Sequence, residues 1–162
     1  MKVVKKQRNS KMCVICGMDN ASGVHAPFYV MEDNSVATLF QYREEHQSYP
    51  GRVHGGMVTA MLDELGCRAY WAYDEEGLAV TMSLDTKYRR PVPYGVPLKG
   101  VGRIVKNSRR GFDAEAALYD MDGNLLANAV MRYLKLPVEK IADADYHEEM
   151  CYFLPDTVTE ID

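Results

Sequence analysis

The amino-acid sequence predicts an α+β domain in which a curved antiparallel sheet of about six strands wraps around one long helix. Three observations predict this fold: only one long segment carries apolar residues at helical spacing, several short segments alternate with period two, and turn-forming residues separate neighbouring strand segments. A chain of 162 residues also fits one hydrophobic core. We therefore expect the sheet to bury the apolar face of the helix.

The first predicted element is a β-hairpin. Phe28–Met31 and Val36–Tyr42 are rich in β-branched and aromatic residues, which favour strands. Glu32-Asp33-Asn34-Ser35 separates the two segments with residues typical of turns. The two strands should therefore pair directly.

The long helix is predicted over Gly56–Tyr73. No proline interrupts this segment, and Gly77 follows it at a position typical of a helix stop. The apolar residues recur at steps of three and four, namely at Met57, Ala60, Met61, Leu65 and Ala69.

Four more strands are predicted after the helix. From Leu78 onward, Val80, Met82 and Leu84 alternate with polar residues, which predicts a strand with one buried face. The other three strands are Val101–Val105, Phe112–Tyr119 and Leu125–Leu136, and Asp122-Gly123 is a favourable turn between the last two. An edge strand would stay open in a monomer, so we expect pairing with a second copy.

Composition and charge narrow the possible classes of function. The chain is 47% hydrophobic and 26% charged, as is usual for a globular protein, and its net charge of −4 argues against a general nucleic-acid binder. No apolar run reaches the length of a signal peptide or membrane span, so we expect a cytoplasmic protein without membrane contact. We divide the chain into an N-terminal segment (1–25) with a C-x-x-C motif, one domain (26–137) and an acidic tail (138–162).

The segment His54-Gly55-Gly56, directly ahead of the helix, is a candidate oxyanion site. Two glycines allow a ligand to approach the backbone N–H groups of the first turn, where the helix dipole is positive. The alternative is that the glycines only allow a tight turn into the helix.

Asp63 is a candidate catalytic acid because it lies between the apolar residues Leu62 and Leu65 of the helix. A buried carboxylate is costly unless it has partners, so its presence indicates a use. The alternative is a solvated helix face. Neighbouring Glu64 has a structural explanation, since Arg68 lies four residues further on.

The spacing of Gly55 and Asp63 has a consequence for assembly. Eight residues of one helix separate them by roughly 12 Å, so they cannot both reach one carbonyl group. If both serve one reaction, they must come from two chains. The sequence therefore predicts at least a homodimer.

These motifs together resemble the PaaI-like branch of the hotdog-fold acyl-CoA thioesterases. The resemblance is carried by His54-Gly55-Gly56, the helix with Asp63, Val80-Thr81, Tyr88-Arg89-Arg90-Pro91 and Leu126-Ala127, and it extends over residues 13–137. It implies a hotdog fold, hydrolysis of an acyl-CoA or aryl-CoA thioester, and a homodimer that pairs into a dimer of dimers. Coenzyme A belongs to the substrate, and we predict no cofactor and no metal.

The resemblance also implies roles for individual residues. Gly55 would be the oxyanion glycine, and Asp63 of the partner chain would be the general base or the nucleophile. Thr81 would help to place the attacking water, and His54 would orient the loop or the carbonyl. Gly56 and the basic residues would bind substrate; the candidates for the CoA phosphates are Arg89, Arg90, Lys106, Arg109 and Arg110.

The sequence departs from the family pattern seven residues before Gly55. Relatives often carry Asn or Gln there, whereas this chain has Ser48, with Gln47 beside it. Ser48 could hydrogen-bond the water or the carbonyl, or Gln47 could take over that role through a shifted loop. This departure slightly favours an alternative function, a hotdog module that binds acyl-CoA without turnover. A hotdog hydratase is a weaker alternative, because no D-x-N-x-x-H-like motif is present.

The four cysteines are better interpreted as thiols or metal ligands than as a disulfide framework. Cys13-Val14-Ile15-Cys16, followed by a glycine, is typical of half a zinc knuckle, and His147 with Cys151 could close a four-ligand site. One C-x-x-C motif is a weak signal, so we predict no metal here.

Overall fold

A seven-stranded antiparallel sheet curves around one long helix in the computed structural model, which describes residues 1–162. The strand order is β1-β2-β3-β5-β6-β7-β4. The elements in chain order are β1 Val3–Lys6, β2 Tyr29–Met31, β3 Val36–Gln41, α1 Gly55–Tyr70, β4 Ala79–Tyr88, β5 Pro97–Asn107, β6 Gly111–Asp120, β7 Leu125–Lys135 and the short α2 Tyr146–Glu149. Single 3-10 turns occur at Glu44–His46 and Val138–Lys140. No helix combines the length and hydropathy needed to cross a membrane.

The predicted α+β fold is confirmed, with all six predicted strands and the helix in place. The first hairpin pairs Val30 with Val36, and the last pairs β6 with β7 around a turn at Gly123. Helix α1 ends at Tyr70, earlier than predicted, because the Trp71 N–H turns back to the Arg68 carbonyl in a tighter turn.

Strand β1 is a seventh strand that the sequence did not predict. It pairs with β2, with Lys5 opposite Val30. The acidic tail returns along the same edge of the molecule, where Glu160 bridges to Lys2 and Ile161 is buried against the outer face of β2 and β3. Both chain ends therefore pack against the sheet.

Helix α1 packs its apolar face onto the concave side of the sheet. Val58, Met61, Leu62 and Leu65 are buried there, and each such side chain stabilises the fold by about 1.5–3 kcal/mol. The helix lies so close to β5 that a Cβ atom at Gly102 would collide with the Leu65 carbonyl. This packing fixes the position of the helix relative to the strands.

Strand β4 forms an open edge of the sheet, because β7 is its only neighbour. The pairing of β4 with β7 shifts register between Thr81 and Ser83, and Met82 within this bulge is 61% exposed. The prediction that Met82 shares a buried face with Val80 and Leu84 is therefore wrong, since the bulge interrupts the alternation. The polar backbone groups of this edge have no partner strand within the chain.

Candidate active site

His54 caps the N-terminus of helix α1 with its imidazole ring. Its backbone is extended (φ −62°, ψ 133°), and its Nδ1 accepts a hydrogen bond of 2.9 Å from the Gly56 N–H. The Gly56 N–H is therefore occupied. Because Nδ1 accepts, the neutral ring carries its hydrogen on Nε2, and His54 is exposed.

Gly55, the first residue of the helix, keeps a backbone N–H that has no acceptor within the chain. It lines a surface pocket of about 340 Å³ together with Tyr88, Arg89 and Arg90. The Tyr88 hydroxyl donates to the Gly55 carbonyl at 2.9 Å and lies 2.6 Å from the Thr59 hydroxyl, which holds the first helical turn against β4. Gly55 thus combines an N–H that has no acceptor within the chain with a place in the lining of a pocket that has two cationic side chains.

Two hydroxyl groups of the same chain surround the Asp63 carboxylate. Thr81 Oγ1 lies 2.9 Å from Oδ1 and 3.1 Å from Oδ2 and donates to the carboxylate. The Tyr133 hydroxyl donates to Oδ1 at 2.9 Å and also lies 2.8 Å from the Asp63 carbonyl. The structure therefore brings together the predicted pair Asp63 and Thr81 at the β4 edge.

Tyr133 is a site residue that the sequence did not indicate. Burial, reinforced by the charge of Asp63, raises the pKa of Tyr133 well above the ordinary tyrosine value, so this hydroxyl remains a donor. Its ring stacks on Phe112 at 4.7 Å. The alternation of residues along β7 does predict that Met131 and Tyr133 face inward. It does not distinguish a tyrosine of a functional site from an ordinary core tyrosine.

Gly55 and Asp63 lie on one helix, eight residues apart, which corresponds to roughly 12 Å along the axis. A second surface pocket, of about 330 Å³, lies beside the Asp63 environment and is lined in part by Met82, Arg110 and Tyr133. Gly55 therefore lines one pocket, whereas Asp63 lies next to Tyr133, which lines the other.

The five predicted basic residues divide into two groups. Arg89 and Arg90 line the Gly55 pocket, and Arg89 Nε donates to the Asn128 side chain at 3.0 Å. Lys106 and Arg110 line the second pocket, and Arg109 is exposed in the turn between β5 and β6. They do not form a single cluster within one chain.

Ser48 and Gln47 lie in the loop that enters the helix, and both are exposed. The Ser48 N–H donates to the Arg52 carbonyl, while Gln47 accepts only a long hydrogen bond of 3.4 Å from Tyr94. Neither residue lines the Gly55 pocket. The buried His46 anchors this loop, because its carbonyl accepts from the His54 N–H.

The two cysteines of the C-x-x-C motif lie next to Glu64 of helix α1, and His147 and Cys151 of the C-terminal segment are not part of this group. The sulfur atoms of Cys13 and Cys16 and a carboxylate oxygen of Glu64 all lie within 4.8 Å of one another. The alternative of a four-ligand site with His147 and Cys151 is wrong. His147 lies 3.9 Å from Glu76, and Cys151 is an exposed free thiol, so neither joins the group.

The electrostatics of this cluster favour one thiolate. A hydrogen bond with Cys13, assisted by the charge of Arg68, lowers the pKa of Cys16 to about 7, and the same bond raises the pKa of Cys13. The predicted pair of Glu64 and Arg68 is confirmed, with 2.6 Å between Glu64 Oε1 and Arg68 Nε. It is not a surface pair, since Arg68 is 2% exposed.

Comparisons with known proteins agree with this fold. Residues 50–127 match the family model of the thioesterase superfamily. A segment of 118 residues is 28% identical to the acyl-coenzyme A thioesterase THEM4 of Mus musculus, covering 72% of this chain and 50% of that protein. The chain thus spans about half the length of this relative.

Solved structures share the hotdog architecture. A phenylacetic acid degradation-related protein of Ralstonia eutropha is 23% identical, with a TM-score of 0.62 over 70% of this chain and 87% of that chain. A Bacillus halodurans protein crystallised with CoA is 22% identical, with a TM-score of 0.63 over 72% and 78% of the two chains. The predicted resemblance to hotdog thioesterases is confirmed.

Proposed function

We propose that this chain, a hotdog-fold protein whose residues 50–127 match the thioesterase superfamily, hydrolyses an acyl-CoA or aryl-CoA thioester to the free acid and CoA. The observation that carries the proposal is the free Gly55 N–H at the N-terminus of α1, open to a pocket with Arg89 and Arg90. The acyl-CoA thioesterase activity named for the mouse relative supports it.

The helix N-terminus supplies the electrostatic part of the reaction. The Gly55 N–H donates to the thioester oxygen, on which negative charge develops as the carbonyl carbon becomes tetrahedral. The exposed Nε2–H of His54 lies on the adjacent residue and is a second candidate donor to that oxygen. One such donor typically contributes a factor of about 100–1000 in kcat.

Asp63 supplies the carboxylate. As a general base, it removes a proton from the attacking water; the C–S bond then breaks, and the proton passes to the departing CoA thiolate. As a nucleophile, it attacks the thioester carbon and forms an acyl–carboxyl anhydride while the C–S bond breaks and the CoA thiolate leaves. Water then cleaves the anhydride to the free acid and protonated Asp63, and the Asp63 proton passes to the CoA thiolate. In both routes, Thr81 and Tyr133 orient the carboxylate through the hydrogen bonds that they donate.

The complete site combines two chains in a homodimer. Gly55 and Asp63 of one chain are too far apart for one thioester, and the exposed β4 edge with Met82 offers a surface for pairing with a second copy. Gly55 of one protomer then faces Asp63 of its partner. We expect two such sites in each dimer, and two dimers in the complete assembly.

Arg89 and Arg90 are proposed to bind the CoA phosphates at the mouth of the Gly55 pocket. Both are exposed cations, and guanidinium groups suit the paired oxygens of phosphates. The CoA present in the Bacillus halodurans structure supports a CoA thioester as the substrate class.

The test is hydrolysis of a panel of short, medium, long and aromatic CoA thioesters, measured as release of free thiol. Asp63→Asn should lower kcat by about 100–10,000-fold, because a general base contributes that much. The matched control is Asp122→Asn, an exposed acid in the turn between β6 and β7, which should keep full activity. Full activity of Asp63→Asn would contradict the proposal.

The second candidate function is an acyl-CoA-binding module without turnover. The observation in its favour is Ser48, which replaces the usual Asn or Gln and whose side chain is exposed, away from the Gly55 pocket. Tight binding of acyl-CoA without thiol release across the whole panel would select this function instead.

A further inference from the structure

We propose that Cys13, Cys16 and Glu64 form a binding site for a single thiophilic divalent cation, Zn²⁺ or a close analogue, which fastens the N-terminal segment to helix α1. The sulfur atoms and the carboxylate oxygen lie within 4.8 Å of one another, close enough for one ion to contact all three. The ligands come from two separate parts of the chain, so an ion would join them. This inference is independent of the proposed thioesterase activity.

The backbone of the loop Cys13–Gly17 holds the sulfur atoms of Cys13 and Cys16 near the Glu64 carboxylate. The Ile15 N–H points at Cys13 Sγ at 3.4 Å, and the Gly17 N–H donates to the Cys13 carbonyl at 2.8 Å. A Cβ atom at Gly17 would collide with the backbone of Cys13, so only glycine permits this tight turn. A backbone N–H directed at sulfur favours the thiolate form, which is the form that binds metal.

Two buried polar residues, Ser10 and Asn9, hold this loop in place through hydrogen bonds. Ser10 Oγ accepts from the Cys13 N–H at 3.0 Å and from the Cys16 thiol at 3.3 Å. The Asn9 side chain donates to the Cys16 carbonyl at 2.7 Å and to the Ala26 carbonyl at 2.9 Å. Because Ser10 and Asn9 are both buried, these bonds fix the loop before any ion binds.

Glu64 is oriented as metal-binding carboxylates usually are. Its Oε1 accepts from Arg68 Nε at 2.6 Å, while its Oε2 accepts from the Cys13 thiol at 3.8 Å, a proton that an ion would displace. Arg68 in turn donates to the Arg8 carbonyl at 2.9 Å and lies over the Phe28 ring. A hydrogen-bonded second oxygen fixes the carboxylate in the position that an ion requires.

The charges and the ligand types suit a divalent, thiophilic ion. The negative charges of two thiolates and the Glu64 carboxylate equal the positive charges of a divalent cation and the Arg68 guanidinium. The partly buried site therefore becomes neutral when an ion binds. Sulfur ligands select Zn²⁺ over Mg²⁺ or Ca²⁺, which prefer oxygen. Three protein ligands leave the fourth tetrahedral position to water, and the half-buried Cys13 provides the route of entry.

The direct test is titration of the reduced, chelator-treated full chain with Co²⁺ under anaerobic conditions. We expect one Co²⁺ per chain, with thiolate-to-metal charge-transfer absorption and tetrahedral d–d bands, displaced by one equivalent of Zn²⁺. Zn²⁺ should also raise the Tm, because the ion binds the folded chain. A chelator should reverse that rise.

Two variants and two controls make the test specific. Cys13→Ser and Glu64→Gln should each weaken Co²⁺ binding by about 100-fold or more, since each removes a ligand. Cys151→Ser removes an exposed thiol outside the cluster and should bind as the original chain does. Asp63→Asn should also keep the Co²⁺ spectrum, which separates this inference from the thioesterase proposal.

Three results would overturn the metal site. These are a reduced chain that gives no charge-transfer band, a band that persists in Cys13→Ser, or a chain in which Cys13 and Cys16 are found joined by a disulfide after purification under reducing conditions. The last result would assign the pair to redox chemistry instead.

Discussion

The environment of Asp63 consists of hydroxyl groups, with no cation within ion-pair distance. Thr81 contacts both carboxylate oxygens, whereas Tyr133 donates to Oδ1 only. Because neither hydroxyl neutralises the carboxylate, its full charge is available to a water or a carbonyl carbon. The two hydroxyls therefore act as positioning groups.

Replacement of Tyr133 by Phe tests this positioning. The variant should unfold with a free energy lower by about 0.5–1.5 kcal/mol, the usual value of one hydrogen bond, and should show a reduced kcat at nearly unchanged KM. Thiol-release kinetics and urea unfolding measure the two effects. Tyr152→Phe is the matched control, because the Tyr152 hydroxyl also donates to a carboxylate, that of Asp19, at 2.9 Å. Equal losses of kcat in both variants would remove the special role of Tyr133.

The stabilising effect of Tyr133 should also depend on pH in one direction. Burial and the nearby Asp63 raise its pKa in the folded chain above the unfolded value. Its contribution is therefore complete below about pH 10, the pKa of an unfolded tyrosine, and is lost as the pH rises beyond it. The difference in unfolding free energy between the original chain and Tyr133→Phe should stay constant up to that pH and shrink above it.

At this scale the sequence indicated Asp63 through its apolar surroundings in the helix, and the family resemblance alone indicated Thr81. Neither signal predicted that the Thr81 hydroxyl donates to the Asp63 carboxylate. Tyr133 gave no such signal, because inward-facing tyrosines are common in proteins of any function, and Tyr88 entered only as part of the motif Tyr88-Arg89-Arg90-Pro91, without a role of its own. Only the packing of β4 and β7 against α1 brings their hydroxyls to the site.

At the scale of elements, the N-terminus of α1 combines a cap with an open donor. His54 satisfies the Gly56 N–H, and the Gly55 N–H is left free. The cap thus stabilises the helix while its positive end stays accessible to an anionic oxygen. Stability and oxyanion binding use different N–H groups of the same turn.

Two substitutions of His54 separate these roles. His54→Ala should lower the free energy of unfolding by about 0.5–2 kcal/mol, whereas His54→Asn should keep most of the cap and lose only a few tenths. If Nε2–H also assists the reaction, both variants lose kcat. Urea unfolding and thiol-release kinetics measure the two effects. Equal stability of His54→Ala and the original chain would show that the cap contributes nothing.

The elements that the sequence could predict are those with local patterns. Helix α1 and the strands on both sides of Gly123 carry their periodicity and turn residues within short segments. Strand β1 does not, because two of its four residues are lysines and its partner lies more than twenty residues further along the chain. The Met82 bulge likewise depends on pairing with β7, which a single segment does not encode.

At the scale of the whole molecule, the open β4 edge and the separation of Gly55 from Asp63 have the same explanation. In the proposed mechanism one chain supplies both residues, but Gly55 lines one pocket and Asp63 lies next to Tyr133, which lines another. In a dimer with two-fold symmetry, Gly55 of one protomer would meet Asp63 of its partner, and Asp63 of the first would meet Gly55 of the second. The dimer would therefore contain two equivalent sites. The dimer would therefore be required for activity, beyond any gain in stability.

Subunit complementation between Asp63→Asn and Gly55→Pro tests this central claim most directly. Proline is well tolerated at the first position of a helix, so Gly55→Pro removes the N–H and keeps the helix start. Gly55→Ala is its matched control, because it retains the N–H and places the same Cβ atom 3.2 Å from the Tyr88 hydroxyl. Each variant alone should be inactive. Its thiol-release rate should be measured before and after the two chains are unfolded together and refolded.

Mixed dimers contain one site with both Gly55 and Asp63 and one site with neither. Equal mixing should therefore restore about a quarter of the original activity, because half of the dimers are mixed and each has one intact site. If the two residues served one reaction within the same chain, the mixture would stay as inactive as either variant alone, and the shared site would be contradicted.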